Sequence, residues 1–284
     1  MPADDLLLSF NQLTTRDLPL VEVARAARGC GFSGIGVLPS TLACLGVSGV
    51  RSVLDGEGLR PTSVCALTGL IGPSPAARAQ PMTAADRCLE YAAGLGVPLV
   101  AVVGGPSDQV TRQEAWQQAV VAIDALLEKA ARAGTTVLVE PLHPVLIEES
   151  VATSLADGLA LISGRDQAGI VVDTWHVWWD SRLRECLRDA GRRVGLVHLS
   201  DWAGPHASLD RALPGEGVAD LAAVCADLIE AGYNGWWEVE VLSKALWAGD
   251  QAALVPACHR AAAKVLGQAM ALATSLGDRA GLAS

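Results

Sequence analysis

The segment VLVEPLHP, residues Val137–Pro144, is the first of four similar runs in this chain. Each run is a short apolar stretch with an acidic residue or a histidine at or near its C-terminal end. The other three runs are VVDTWH (Val171–His176), VHLSD (Val197–Asp201) and WWEVEV (Trp236–Val241). Short apolar runs of this kind are typical of buried parallel strands. In a barrel of parallel strands the terminal side chains meet at one mouth, so the pattern indicates a metal site in an α/β barrel.

The rest of the sequence alternates strand-like runs with amphipathic helical stretches. The candidate strands are Leu6–Ser9, Gly34–Leu38, Thr62–Leu67, Leu99–Val103, Thr136–Glu140, Gly169–Asp173, Gly195–Leu199 and Trp237–Val241. The candidate helices are Leu18–Arg28, Leu42–Asp55, Ala84–Gly94, Arg112–Ala133, Leu155–Ser163, Ser181–Ala190, Ala219–Ala231 and Gln251–Thr274.

Eight strand–helix repeats without a linker predict an α/β fold, a single (β/α)₈ TIM barrel. We expect it to occupy residues 1–284 as one domain, with a C-terminal helix at about 251–274 and a short tail. A doubly wound open sheet is the alternative. It requires a glycine-rich phosphate loop after the first strand, and LLLSFNQLTT contains no glycine.

Composition limits the class of protein. Hydrophobic residues make up 51% of the chain and charged residues 18%, which is enough apolar material for one large core. The formal net charge of −10 argues against nucleic acid as a partner, because such binding needs positive charge on the protein. No apolar run is long enough for a membrane span, and the acidic N-terminus does not resemble a signal peptide. The seven cysteines are scattered without a CxxC spacing, so we expect a cytoplasmic protein with reduced thiols.

Three of the runs place one candidate ligand each at a strand end: Glu140, Asp173 and His198. The fourth run contains Glu238 and Glu240, which share a strand face, and the alternation of residues does not choose between them. Three carboxylates and one imidazole suit one divalent metal ion such as Mn²⁺, with Mg²⁺ or Co²⁺ as alternatives, better than a thiolate-type zinc site.

This set of residues suits proton transfer next to a carbonyl. A divalent cation that holds adjacent oxygens of a hydroxy-ketone lowers the cost of forming an enediolate. Two carboxylates on opposite sides of the substrate, Glu140 and a glutamate of the eighth strand, can serve as base and acid. His176 lies three residues after Asp173, where it could donate to a substrate oxygen or orient Asp173 instead. Arg211 could anchor a substrate oxygen or tie its loop to Asp210.

Seven of the eight tryptophans lie between Trp175 and Trp247. We expect Trp175 to sit over the pocket, where its flat apolar face could bind substrate. Capping of the barrel or a contact between subunits is the alternative role for these rings.

Taken together, VLVEPLHP, VVDTWHVWWD, VHLSDW, DRALPGEGVADL and GYNGWWEVEV resemble the sugar phosphate isomerase/epimerase superfamily with its xylose isomerase-like TIM barrel. This superfamily includes ketose 3-epimerases, hydroxypyruvate isomerases and inosose dehydratases. The resemblance implies that Glu140, Asp173, His198 and Glu240 bind the metal and selects Glu240 over Glu238. It also implies that Glu140 and Glu240 exchange the proton, and that His176 and Arg211 contact the substrate.

The chain also departs from this pattern. Ketose epimerases carry a further acid where this sequence has Leu146, although Glu148 or Glu149 could compensate. The related apurinic endonucleases need additional histidines and an Asp-Arg-His motif. This chain has five histidines in all and reads Asp210-Arg211-Ala212.

We therefore expect a metal-dependent isomerase or epimerase that acts on a small carbohydrate, a sugar or a sugar-derived hydroxy-ketone, through a metal-stabilised enediolate. A lyase that uses the same site for dehydration or β-elimination is the first alternative. Less favoured alternatives are an abasic-site endonuclease and a non-catalytic binding subunit. The resemblance further suggests a homo-oligomer.

Overall fold

Eight short parallel strands close into a barrel in the order β1-β10-β7-β6-β5-β4-β3-β2. The computed structural model describes residues 6–204 and 209–281, with side chains up to residue 275. The barrel strands are β1 Leu8–Asn11, β2 Gly34–Val37, β3 Arg60–Thr68, β4 Leu99–Val102, β5 Val137–Val139, β6 Ala168–Asp173, β7 Val194–Leu199 and β10 Trp237–Val239. A two-stranded hairpin, β8 Asp201–Trp202 and β9 Arg211–Ala212, follows β7. The predicted TIM barrel is confirmed.

Helices connect the strands and pack around them. They are α1 Leu20–Cys30, α2 Pro39–Gly56, α3 Pro75–Leu95, α4 Arg112–Ala133, α5 Leu155–Leu161, α6 Thr174–Val177, α7 Leu183–Ala190, α8 Leu221–Glu230, α9 Lys244–Trp247 and α10 Gln251–Gly281. Within the part of the chain that the structure describes, no helix combines the length and the apolar character that a bilayer span requires.

Several features differ from the prediction, among them two short helices, α6 and α9, that the sequence did not indicate. Helix α3 begins nine residues earlier than expected, because Ser74 caps it by accepting from the Ala77 amide and the helix continues through Pro81. Helix α10 extends to Gly281 and not only to about 274. Gly277, which lies beyond the predicted end, costs only about 1 kcal/mol relative to alanine and does not end the helix. The hairpin β8–β9 was not predicted, because two-residue strands leave no periodic signal.

The inside of the barrel has an apolar layer below a polar one. Leu138, Val171 and Leu196 belong to a small buried cluster that is separate from the large core under the helices. The residues two positions further along these strands are Glu140, Asp173 and His198. Successive strand residues point to opposite faces, so residues two apart point to the same side. The apolar layer therefore directs these polar side chains into the barrel at its C-terminal end.

Glycine on β2 makes room for a buried carboxylate. A methyl group at Gly36 would overlap the side chain of Glu238, whereas the exposed Gly29 near the end of α1 has open space around it. We expect Gly36→Ala to lower the free energy of unfolding by about 1–3 kcal/mol through overpacking. Gly29→Ala should leave it unchanged or raise it by up to about 1 kcal/mol, because alanine is the better helix former.

Urea denaturation of both variants measures these free energies. Equal stability of Gly36→Ala and the unmodified protein would show that this space is not needed for the Glu238 side chain.

Candidate metal centre

Backbone pairing places the two candidate acid–base residues just beyond their strands. The Glu140 amide donates to the carbonyl of Ala101 at 3.0 Å, and the Glu240 amide donates to the carbonyl of Leu199 at 3.1 Å. Each bond extends a ladder by one residue past the end of β5 or β10. Asp173 and His198 are register partners on β6 and β7. Regular strand pairing, and not a flexible loop, thus positions these four residues.

The four predicted ligands converge. Glu140, Asp173, His198 and Glu240 each offer one ligand atom, and these atoms all lie within 4.8 Å of one another. All four side chains are buried. His198 Nδ1 lies 2.8 Å from Glu140 Oε1 and 3.6 Å from Glu240 Oε2. Nδ1 is therefore the ring nitrogen that faces the cluster.

Arg211 on β9 closes one side of the cluster. Its Nη1 atom donates to Asp173 Oδ2 at 2.8 Å and to Glu240 Oε2 at 3.0 Å. Burial by itself lowers the pKa of Arg211, but these two carboxylates raise it above the ordinary value. The alternative role considered from the sequence, a tie to Asp210, is not observed, because Asp210 accepts from the backbone amides at the start of α9.

His176 is a neutral donor at the edge of the cluster. Its Nδ1 accepts from the His143 amide at 2.9 Å, so the proton of the neutral ring lies on Nε2. Burial lowers its pKa well below the ordinary value, and the positive charge of Arg211 lowers it further. Nε2 lies 3.7 Å from Asp173 Oδ2 and 3.2 Å from Arg211 Nη2, and the residue lines the cavity. The substrate contact of His176 stays a prediction, which this tautomer supports.

Trp175 lies behind Arg211 and does not line the cavity. Its ring is buried, stacks on Trp202 with a centroid distance of 4.7 Å, and lies 5.3 Å below the Arg211 guanidinium carbon. Contact with substrate, as predicted from the sequence, therefore stays a prediction. Trp175 contacts two residues that line the cavity, Arg211 and His176, whose ring centroid lies 5.0 Å from that of Trp175.

Glu238 is the glutamate of the eighth barrel strand that lies outside the cluster of candidate ligands. It is fully buried one layer below Glu240, and its carboxylate accepts hydrogen bonds from four side chains of β1 and β3. These donors are Ser9, Asn11, Thr62 and Ser63. The only signal in the sequence is the spacing of the two glutamates on one strand, which does not reveal partners from distant segments.

A cavity of about 760 Å³ opens above the cluster. Glu140, Glu240, His176 and Arg211 form part of its polar base. Glu148 and Glu149, the acids considered as substitutes for Leu146, are exposed and also line it. The cavity thus brings the candidate catalytic groups within reach of a small molecule.

The donor set fits a divalent cation. Burial alone lowers the pKa of His198, but Glu240 and Glu140 raise it well above its ordinary value. Burial raises the pKa of Glu240, and the neighbouring Glu140 and Asp173 add to this rise. The rise in the pKa of His198 reflects the negative charge of the buried carboxylates around it, which a cation would compensate. Oxygen ligands with one imidazole suit Mn²⁺, Mg²⁺ or Co²⁺.

Fold and site define the class of protein: an α/β barrel with a cluster of three carboxylates and one imidazole at the C-terminal ends of its strands. The chain belongs to the xylose isomerase-like TIM barrel family, whose model matches residues 24–263. It is 26% identical over 233 residues to a 2-oxo-tetronate isomerase of Pectobacterium atrosepticum, covering 78% of this chain and 85% of that protein.

Two solved structures share the fold. The IolI protein with a bound zinc atom matches with a TM-score of 0.81 at 20% identity, covering 93% of this chain and 99% of that one. The 3-keto-D-glucoside 4-epimerase of E. coli matches with a TM-score of 0.74 at 20% identity, covering 92% and 98%.

Metal content tests the cluster directly. After dialysis against Mn²⁺ and removal of free metal, we expect about one ion per chain by elemental analysis. Asp173→Asn should lower the Mn²⁺ affinity at least about tenfold, because it removes a charged ligand while an amide can still cap α6. Glu90→Gln, at an exposed position on α3, is the control variant, because it also removes one carboxylate but lies outside the cluster. Unchanged affinity in Asp173→Asn would contradict the assignment of this cluster.

Proposed function

We propose that this protein is a divalent-metal-dependent isomerase or epimerase of a sugar or sugar-derived hydroxy-ketone. The observation that carries the proposal is the convergence of Glu140, Asp173, His198 and Glu240, of which Glu140 and Glu240 line the cavity. The isomerase among its relatives and the epimerase among its neighbours in fold support the same class of reaction.

The chain's own residues account for the proton transfer. Glu140 and Glu240 extend from β5 and β10, on different sides of the cavity base. One carboxylate removes the proton from the carbon next to the substrate carbonyl, and the other returns a proton to the neighbouring carbon or to the opposite face. Their burial excludes water that would compete for the proton. His176 Nε2–H and Arg211 orient the substrate oxygens as hydrogen-bond donors.

Mn²⁺, held by Glu140, Asp173, His198 and Glu240, would supply a Lewis acid that stabilises negative charge on the substrate oxygens. The preference for Mn²⁺ belongs to the proposal: the imidazole favours it over Mg²⁺, and the three carboxylates favour it over Co²⁺.

A lyase is the second candidate. Elimination of a group β to the carbonyl starts with the same deprotonation, and the second carboxylate then protonates the leaving group. The volume of the cavity favours keeping this candidate, because about 760 Å³ leaves space beside a sugar ring for a substituent. The products distinguish the two reactions, since an isomerase conserves the mass of its substrate.

Exchange of hydrogen in deuterated water tests the proposal. We expect the Mn²⁺-loaded protein to introduce deuterium next to the carbonyl of at least one member of a panel of ketoses, inososes and keto-glucosides, detected by mass spectrometry. Glu140→Gln and Glu240→Gln should each slow the exchange by about 10²–10⁴-fold, because each removes one acid–base group. Glu90→Gln should react at the unmodified rate. Equal rates in all three variants would contradict these roles.

A further inference from the structure

Five loops each contribute one aliphatic side chain to the wall of the cavity. The residues are Leu13, Leu38, Ile71, Leu146 and Leu242, which we call the apolar collar. Each is only partly buried, so it is in contact with solvent inside the cavity. The side chains follow β1, β2, β3, β5 and β10, and therefore surround the mouth. Clustered apolar surface in a concave site is typical of a site that buries an apolar part of a ligand.

The same cavity offers little to an anion. Among the described residues that line it, Arg211 is the only lysine or arginine, and its Nη1 is already shared between Asp173 and Glu240. Glu148 and Glu149 add exposed negative charge to the wall. Bound metal would be surrounded by three carboxylates, which leaves no excess of positive charge to attract a phosphate or a carboxylate.

From these two features we infer that the substrate is an uncharged hydroxy-ketone that carries an apolar substituent, such as a keto-glycoside with an aryl group. This inference rests on the proposed function, because it assigns the substrate class of the same site. It distinguishes the protein from its named relative, which acts on a 2-oxo acid.

In such a substrate the ketone and its adjacent hydroxyl lie at the polar base, and the substituent lies against the apolar collar. If the substituent is β to the carbonyl, the proton is removed from the α carbon, which lies between the carbonyl and the β carbon. The electron pair then forms a double bond between the α and β carbons as the bond from the β carbon to the substituent oxygen breaks. Glu140 or Glu240 then supplies the proton that the leaving oxygen needs. No oxidant or reductant enters either this elimination or the competing epimerisation.

Three matched probes test the inference: methyl 3-keto-β-D-glucoside, its phenyl analogue, and the methyl 3-keto-glucuronide, in which a carboxylate replaces the hydroxymethyl group. We expect the affinity and the kcat/KM of the phenyl probe to exceed those of the methyl probe about 10- to 100-fold. The reason is that binding against the apolar collar removes the apolar surface of the phenyl ring from water. The glucuronide should bind more weakly than the methyl glucoside. Leu38→Ser with Leu146→Ser should reduce the phenyl-to-methyl ratio, and Val121→Ser on the outer face of α4 should preserve it.

Calorimetry measures the affinity for each probe, and turnover is measured in parallel. The two measurements distinguish a failure of the proposed function from a failure of the inferred substrate class. Absence of exchange and of product with every probe would count against the proposed function. Equal affinity for the phenyl and methyl probes, or preference for the glucuronide, would overturn the inference about substrate class. Release of phenol would identify elimination, and a new epimer would identify isomerisation; both support the inference.

A separate observation concerns the far side of His198. Nδ1 faces the metal cluster, while Nε2 lies 3.4 Å from Glu238 Oε1 and has no hydrogen-bond partner of ordinary geometry among the described residues. His198 and Glu238 are register partners on β7 and β10, so their side chains leave the two strands at the same level. No other carboxylate approaches Nε2 within 4 Å in the described part of the chain.

Hydrogen bonds from four side chains fix the carboxylate of Glu238 beside His198. Ser9 and Ser63 donate to it at 3.0 Å each, Asn11 at 2.9 Å and Thr62 at 2.5 Å. Hydrogen bonds from these side chains satisfy a fully buried charge, and Gly36 provides the space. A metal-bound histidine commonly donates its second ring N–H to a carboxylate, which fixes the tautomer and the ring orientation.

The geometry points to Glu238 as a positioning residue that keeps the Nε2 proton of His198 and so leaves Nδ1 free for the metal. We expect Glu238→Gln to weaken Mn²⁺ binding about 10- to 100-fold. Thr135→Val, which removes a partly buried hydrogen bond to the Val97 carbonyl at the opposite end of the barrel, should leave the affinity within about twofold.

Nuclear magnetic resonance of ¹⁵N-histidine-labelled protein provides a readout that does not depend on activity or on metal. The Nε2–H signal of His198 should be protected from exchange in the unmodified protein and in Thr135→Val, and should exchange faster in Glu238→Gln. Equal protection and equal metal affinity in all three proteins would overturn this role. Failure of the unmodified protein to bind metal would count against the proposed function, while the exchange measurement would still decide the role of Glu238.

Discussion

The structure depends on the burial of four carboxylates, Glu140, Asp173, Glu238 and Glu240, at one end of a barrel. Like charges at low dielectric repel each other strongly, and each loses its hydration when the barrel closes. Such a group persists only where hydrogen bonds and opposite charges compensate it. In this protein Arg211, His198 and the hydroxyl and amide donors around Glu238 supply part of that compensation. A divalent cation is the remaining partner that we propose.

Two of these carboxylates, Glu238 and Glu240, lie two residues apart in the chain but differ in their hydrogen-bond partners and in their pKa shifts. Glu238 receives four side-chain hydrogen bonds, and its pKa is lowered despite burial by its contact with His198 and by hydrogen bonds from Thr62 and Asn11. Glu240 lies one layer higher, lines the cavity and has a pKa that burial raises. Glu238 is thus held as an anion by its partners, whereas Glu240 is the glutamate that exchanges a proton in the function we propose.

The apolar collar belongs to segments that follow the strands, and not to the strands themselves. The strands position the metal ligands by regular pairing, and this arrangement places no demand on the rest of the substrate. These segments follow five of the eight barrel strands, and one of them carries Leu146. A barrel can therefore keep one chemistry at its base while its loops change the molecule that reaches it.

The eight strands, their order along the chain and three candidate ligands, Glu140, Asp173 and His198, could be predicted from short-range patterns, and the family resemblance added Glu240. Alternating strand and helix periods predict the barrel, and a polar residue two positions after an interior apolar residue predicts a side chain at its mouth. Only the tertiary structure revealed the place of Glu238 beneath Glu240, its hydrogen-bond donors, the position of Trp175 behind Arg211 and the apolar collar. These features join residues as far apart as Ser9 and Glu238, 229 positions along the chain. No local period records such contacts, because only closure of the barrel brings the first strand beside the last.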